Sequence, residues 1–343
     1  MKFSKIFDLR PAAILFLLSI IIFNCKGTDS ENPAESAAAN YSGTWAGTIT
    51  SNMISTPAPI SITIFHTNNS ITGSYEVITG ASGTVAGSVN KNAITFTLTQ
   101  TTQGCTGSFS GQGTFNGTSM IFTYSGNDCW GTHSNGNGNV TKYEVSADVI
   151  CPLYVGQSWR YIDSNFSSTG AFTGADSSKL GIIAKGTYSV QGQNVELYHW
   201  NWINPKTNKP QAYSWLERNN SDGLSLYGGY FRNSAQLFPK MLSIKFPVNA
   251  GDTWYSPRCV FNVNDSTFKI ADTVKYTSTS VSENFQTPAG VFNCYVYNYQ
   301  RSYTSAGQTM TDNIYSYYAK NKGYLGMIVK TNGIVRFKKV LKK

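Results

Sequence analysis

The sequence predicts an all-β protein, with an up-and-down β-barrel or sandwich followed by a larger antiparallel curved-sheet or half-barrel domain. Three observations carry that expectation. The chain is rich in turn formers and aromatics, with 31 Gly, 21 Tyr and 19 Phe among 343 residues, and aromatic and β-branched side chains suit a pleated surface. Apolar residues alternate with hydroxyl residues in runs such as Ile60-Ser61-Ile62-Thr63-Ile64 and Ile94-Thr95-Phe96-Thr97-Leu98, the period-2 signature of strands with one buried face. Beyond Asn40, no stretch of about a dozen residues keeps the 3.6-residue period of an amphipathic helix, so almost no helix is expected.

The first folded unit is expected over residues 40–142. A cue of Gly followed by Thr or Ser recurs through it, as in Gly43-Thr44-Trp45, Gly73-Ser74-Tyr75, Gly87-Ser88-Val89 and Gly113-Thr114-Phe115. Glycine supplies the bend, and the following residues alternate into and out of a sheet. Thr67-Asn68-Asn69-Ser70 and Val89-Asn90-Lys91-Asn92 read as tight turns. Seven or eight short strands result, the spacing of a small barrel or sandwich. The unit resembles the lipocalin-like or avidin-like barrels of bacterial lipoproteins, on Gly43-Thr44-Trp45, Ile71-Thr72-Gly73-Ser74-Tyr75 and the pattern Cys105, Gly113-Thr114-Phe115, Met120, Tyr124-Ser125-Gly126, Cys129. A biotin site of the avidin kind needs several tryptophans. This unit holds only Trp45 and Trp130, so biotin binding is not expected.

The second unit is expected over residues 144–343 and contains an internal echo. Pro152-Leu153-Tyr154-Val155-Gly156-Gln157-Ser158-Trp159 matches Pro247-Val248-Asn249-Ala250-Gly251-Asp252-Thr253-Trp254, 95 residues apart. Proline and glycine shape a loop, and tryptophan then enters a strand toward a core. Each copy should open a run of antiparallel strands. From Phe246 to Lys343 the layout resembles a type of uncharacterised bacterial lipoprotein. Its features here are Gly251-Asp252-Thr253-Trp254, the turn Thr287-Pro288-Ala289-Gly290-Val291-Phe292, and the return Tyr318-Ala319 to Lys322-Gly323-Tyr324-Leu325-Gly326. That resemblance implies a curved or half-barrel sheet and no known chemistry.

Compartment is read from the N-terminus. Lys2, Lys5 and Arg10 precede an apolar run, Ala12 to Phe23, that ends in Asn24-Cys25. This is the order of a secretory signal, too short for a membrane span of about 20 apolar residues. Ile22-Phe23-Asn24-Cys25 resembles a lipobox, although Phe23 and Asn24 stand where the strict motif has small residues. The resemblance implies removal of residues 1–24 and lipidation of Cys25, with residues 25–39 as a flexible tether. Acyl chains worth about 0.8 kcal/mol per buried methylene would then hold the protein on a membrane. The expected location is the cell envelope, on the outer rather than the inner membrane.

In such a compartment disulfides are plausible. Cys105 and Cys129 are the only cysteines of the first unit, so their pairing is the simplest outcome. For Cys151, Cys259 and Cys294, the Cys259–Cys294 bridge is favoured, while Cys151–Cys259 and Cys151–Cys294 stay open. No Cys-x-x-Cys pair occurs, and neither a metal nor a cofactor site is expected. The net charge of +9 gathers late in the chain, with Lys330, Arg336, Lys338, Lys339, Lys342 and Lys343 unrelieved by any acid. Export argues against nucleic acid, and the basic residues read as a solvated strand face and tail.

Catalytic signatures are missing from the sequence. There is no Gly-x-Ser-x-Gly elbow and no phosphate loop opening a helix. His66, His133 and His199 are scattered, as are Asp163, Asp176, Asp252, Asp265, Asp272 and Glu283. The strongest candidate surface is aromatic: Tyr198, Trp200 and Trp202 alternate onto one strand face, able to line a pocket for an apolar or sugar ligand or to fill a core. The expectation is therefore a non-catalytic, membrane-anchored binding protein, with an envelope glycan hydrolase or a lipid-handling protein as alternatives.

Overall fold

The computed structural model describes residues 39–342, apart from 79, 103, 145–147 and 306. The leader, the lipidation expected at Cys25 and nearly all of the tether lie outside the described residues. Among the described residues the structure is all β, with twenty strands and no helix.

The first eight strands are β1 (Gly43–Ser51), β2 (Ile54–Thr67), β3 (Ser70–Val77), β4 (Ser82–Asn90), β5 (Ala93–Gln100), β6 (Gly107–Asn116), β7 (Ser119–Asp128) and β8 (Gly131–Tyr143). They form a closed barrel in sequence order. Closure is made by β1 pairing antiparallel with β8, from Thr44 opposite Tyr143 to Thr50 opposite Asn137. The alternation read in the sequence is the inside–outside alternation of the wall: Ile94, Phe96 and Leu98 are buried while Ala93, Thr95, Thr97 and Thr99 are exposed. One end is plugged. Trp45 is fully buried, its Nε1 donates to the Tyr41 carbonyl at 3.0 Å, and Tyr41 stacks on Phe115 at 3.9 Å.

The remaining strands are β9 (Ser158–Phe166), β10 (Phe172–Val190), β11 (Gln193–Ile203), β12 (Tyr213–Asn220), β13 (Gly223–Phe231), β14 (Ser234–Lys245), β15 (Thr253–Asn262), β16 (Thr267–Thr287), β17 (Gly290–Ser305), β18 (Gln308–Ala319), β19 (Gly323–Thr331) and β20 (Ile334–Leu341). They form one curved antiparallel sheet, ordered β14-β13-β12-β11-β10-β9-β20-β19-β18-β17-β16-β15. The free edges, β14 and β15, meet through side chains. Trp254 Nε1 of β15 donates to the Leu242 carbonyl of β14 at 3.3 Å, and behind that edge Tyr213 of β12 stacks on Phe261 of β15 at 4.3 Å.

The sequence echo is an echo of structure. In the first copy, the Gly156 amide donates to the Ile182 carbonyl at 2.8 Å, and the Ile182 amide donates back to Gln157 at 2.9 Å. In the second, the Gly251 amide donates to Ser278 at 2.7 Å, and the Ser278 amide donates back to Asp252 at 2.9 Å. Both glycines have positive φ, 96° and 90°, a conformation that an L side chain resists. Each copy thus clips its opening loop to its second strand, and its tryptophan enters as the second residue of β9 or β15.

The concave side of the sheet is filled. Trp159, Tyr161, Leu180, Trp200, Trp254, Phe285, Tyr297, Tyr317 and Leu325 belong to one buried cluster. Trp159 and Trp200 stack 5.0 Å apart, nearly parallel, and the Tyr161 hydroxyl donates to the Tyr324 carbonyl at 3.0 Å. The barrel docks on the sheet through an ion cluster centred on a buried lysine. Lys179, with no exposure, sits 2.9 Å from Glu76 and donates to the Ile78 carbonyl at 2.6 Å, while Ser158 and Arg160 also donate to Glu76. Burial pushes the Glu76 carboxyl up, but Lys179 and Arg160 outweigh it and hold its pKa below the usual range.

Two expectations need correction. Cys259 and Cys294 are free thiols, as is Cys151. Cys259 pairs opposite Ile270 and Cys294 opposite Glu283, so the two thiols sit on opposite sides of β16 and thirteen positions apart along it, roughly 40 Å of strand. The basic C-terminal segment is not uniformly a solvated face either. Lys339 is buried, 2.7 Å from Asp163, beneath the rings of Trp202 and Tyr161. The Cys105–Cys129 disulfide is present, with a Cα separation of 5.3 Å.

Candidate functional site

The unplugged end of the barrel holds a cavity of about 360 Å³, within the usual range for small-molecule sites. Its walls follow from strand alternation. Ile49, Ile60, Leu98, Phe109 and Phe122 point inward from β1, β2, β5, β6 and β7. Glycines on β8 make room for the rings: a side chain at Gly138 would strike the Phe122 ring at 2.1 Å, and one at Gly136 the Tyr124 ring at 2.6 Å. Met53 and Trp130, both about half exposed, stand at the mouth, with Thr207 and Asn208 of the loop between β11 and β12.

A polar group lies within this apolar wall. The hydroxyls of Tyr75 and Tyr124, Oε1 of Gln100 and Nε2 of His133 are buried without a hydrogen-bond partner among the described residues. Burial and then the charge of Asp128 raise the Tyr75 phenol above its ordinary pKa, and burial raises that of Tyr124. Ser51 stands close enough to Tyr124 to oppose that rise, without reaching hydrogen-bond alignment. Both phenols therefore stay protonated at neutral pH. Unpaired buried polar atoms cost about 1–3 kcal/mol each, a cost that a bound polar group would relieve.

Local chemistry fixes the orientation of Gln100, Asp128 and His133. Gln100 donates its amide nitrogen to Cys105 Sγ at 3.1 Å, so the disulfide leaves the amide oxygen unpaired. Asp128 Oδ1 accepts the amides of Trp130 at 2.9 Å and Gly131 at 3.2 Å, a side-chain-capped turn. Its Oδ2 is 3.4 Å from His133 Nε2, with the carboxylate side chain 2% exposed. Ser51 Oγ accepts the amides of Met53 and Ile54 at 3.1 and 3.2 Å and lies 3.1 Å from His133 Nδ1. With its lone pairs so engaged, Ser51 has its proton to give to Nδ1, which places the ring proton on Nε2, facing Asp128. Serine, histidine and aspartate thus follow one another as in a nucleophilic triad. Ser51, however, is held by two amides and is not among the residues lining the cavity. The trio orients the imidazole.

The residues singled out from sequence lie elsewhere. Trp200 is in the sheet core against Trp159, and Tyr198 packs against that core with its hydroxyl 3.4 Å from Glu196. Trp202 borders a polar pocket of about 520 Å³ with Asp163, Asp176 and Lys339. None of the three lines the barrel cavity. The cavity residues Tyr75, Gln100, Asp128 and His133 were not legible as a set: they come from four strands and share no motif. Period-2 parity within the barrel was the available signal, since Gln100 is a polar residue on the inward parity of β5.

No family model matches the chain, and no curated protein matches it. Among solved structures, it is similar to a protein from Bacteroides fragilis described as exported with a YmcC-like fold, at 16% identity and a TM-score of 0.31, covering 55% of this chain and 95% of that one. It is also similar to a protein from Parabacteroides distasonis described as a lipoprotein, at 12% identity and a TM-score of 0.29, covering 58% of this chain and 99% of that one.

Proposed function

We propose that the protein is a membrane-anchored, extracytoplasmic binding protein that holds a small, largely apolar ligand in its barrel without transforming it. One observation supports the binding role above others: an apolar cavity into whose wall are built buried polar atoms, of Tyr75, Gln100, Tyr124 and His133, that lack hydrogen-bond partners. Its volume is more than twice that of the roughly 150 Å³ engineered cavity that takes benzene, so a bicyclic ring or a medium acyl chain suits it. The anchor rests on the leader and Cys25.

Two measurements test this. N-phenyl-1-naphthylamine, a neutral fluorophore that brightens in apolar surroundings, should bind saturably and quench Trp130. Leu98→Trp, which fills the cavity, should abolish both signals while the thermal transition persists; unchanged binding in that variant would refute the site. For the anchor, Cys25→Ser should release the protein from membranes and abolish fatty-acid labelling, and unchanged partitioning would refute it.

A second reading, a glycan hydrolase, has one observation in its favour. Asp163 and Asp176 are direct partners across β9 and β10 and border the Trp202 pocket, and paired carboxylates beside an aromatic ring suit glycoside chemistry. Asp163 is already held by Lys339. Release of reducing sugar from envelope glycan, lost in Asp176→Asn, would favour this reading.

A further inference from the structure

The charge at the polar end of the barrel cavity specifies more than an apolar ligand. Asp128 is the one carboxylate among the residues lining it, its side chain is 2% exposed, and no lysine or arginine lines the cavity with it. Oδ1 is occupied by two backbone amides, while Oδ2 stands on the side of His133, another residue of the cavity wall. Its ion-pair contact, His133 Nε2 at 3.4 Å, lacks hydrogen-bond alignment. A buried carboxylate without a cation is costly. The same cavity holds a second acceptor, Gln100 Oε1, whose orientation is set by the bond from its amide nitrogen to the Cys105 sulfur. Phe109, Phe122, Tyr124 and Trp130 supply aromatic rings around the same space.

Each candidate head group can be weighed against that set. A carboxylate ligand would meet the Asp128 charge and find no lysine or arginine to offset it. A neutral alcohol would satisfy Tyr75, Tyr124 or Gln100 and leave Asp128 as it is. An ammonium has donors for both Oδ2 and Gln100 Oε1, neutralises the buried charge, and gains from aromatic rings within about 6 Å. We infer that the barrel cavity is a site for an organic ammonium, an amine carried on an aromatic or aliphatic body, with Asp128 as its counter-ion and Gln100 as its second acceptor. This rests on the reading of the cavity as a ligand site, and it goes further by assigning the ligand's charge.

The test is a charge series on one skeleton. 1-Naphthylmethylamine, 1-naphthalenemethanol and 1-naphthoate are titrated at neutral pH by calorimetry, with N-phenyl-1-naphthylamine as the neutral control. The amine should bind about tenfold or more tighter than the alcohol, the lower end of coupling for close charge pairs, and the carboxylate should bind weakest. In Asp128→Asn, which retains an oxygen for the Trp130 and Gly131 amides, the amine should fall to the level of the alcohol while the alcohol is unchanged. Equal binding of all three, or tighter binding of the carboxylate, would overturn the ammonium assignment and leave the cavity as a ligand site. Failure of all four compounds would overturn both. Should Asp128→Asn not fold, the order within the wild-type series decides.

Discussion

The barrel and the curved sheet are built from the same alternating strands, yet one is hollow at its mouth and the other is filled. In the barrel, aromatic rings lie flat over glycines of the neighbouring strand, as Phe122 does over Gly138, and the wall keeps an open centre. In the sheet, Trp159, Trp200, Trp254 and Tyr297 project into the concave side and meet one another there. The density of large aromatics marks the filled region. The region with the open cavity is the one denser in glycine along the chain and poorer in tryptophan.

The largest expected effect separates these two interiors. Trp159→Ala removes a ring stacked on Trp200 and should cost about 3–5 kcal/mol of unfolding free energy, as for large buried aromatics. Leu98→Ala borders space that is already empty, so its cost should sit at or below the low end for leucine, about 2 kcal/mol. Denaturant midpoints compared at a common slope check this. Equal losses would mean that the barrel mouth is as densely packed as the sheet.

Next in size is the disulfide at the rim. Cys105 and Cys129 are separated by 24 residues, and opening such a loop should cost roughly 3 kcal/mol. Since Gln100 and the Asp128 turn both adjoin the bridge, the double serine variant should also weaken probe binding. Loss of stability with unchanged affinity would uncouple the bridge from the site.

The smallest effect is a difference in pH response within the sheet. Burial lowers the His199 pKa to about 4, with Tyr188 hydroxyl 2.6 Å from Nε2. Between about 4 and 6.5 the unfolded chain holds that proton and the folded chain does not, so stability rises with pH. Burial raises the pKa of Glu217, a largely buried residue on β12, to about 8. Between about 4.5 and 8 the folded chain holds the proton, so this group makes stability fall as pH rises. Glu217→Gln should flatten the decline above neutrality, and His199→Gln the rise below it. Identical pH–stability curves for wild type and variants would remove these groups from the account.

Much of the architecture was legible in the sequence, and the site was not. Strand periodicity gave the β class, and the Pro-x-x-x-Gly-x-Ser/Thr-Trp echo marked two loops that make matching backbone bonds. The Cys105–Cys129 pairing followed from the unit's having no other cysteines. The Cys259–Cys294 expectation failed because adjacency of strands says nothing of position along a strand as long as β16, 21 residues. Alternation puts Tyr198, Trp200 and Trp202 on one strand face, but whether that face is filled depends on rings contributed from across the sheet, such as Trp159. His133 reads as an isolated loop residue in the sequence: Asp128 meets it across the β7–β8 hairpin, and Ser51 reaches it only when β1 and β8 close the barrel.

On the proposed reading, ligand space lies in the barrel and not in the sheet. Methyl-resolved NMR with added N-phenyl-1-naphthylamine tests it most directly. Ile49, Met53, Ile60 and Leu98 line the cavity, whereas Leu180, Ile182 and Leu325 sit in the sheet core. Saturable shifts at the first set, with the second unmoved, are the expected result. Shifts centred on Leu180, Ile182 and Leu325 would contradict the account.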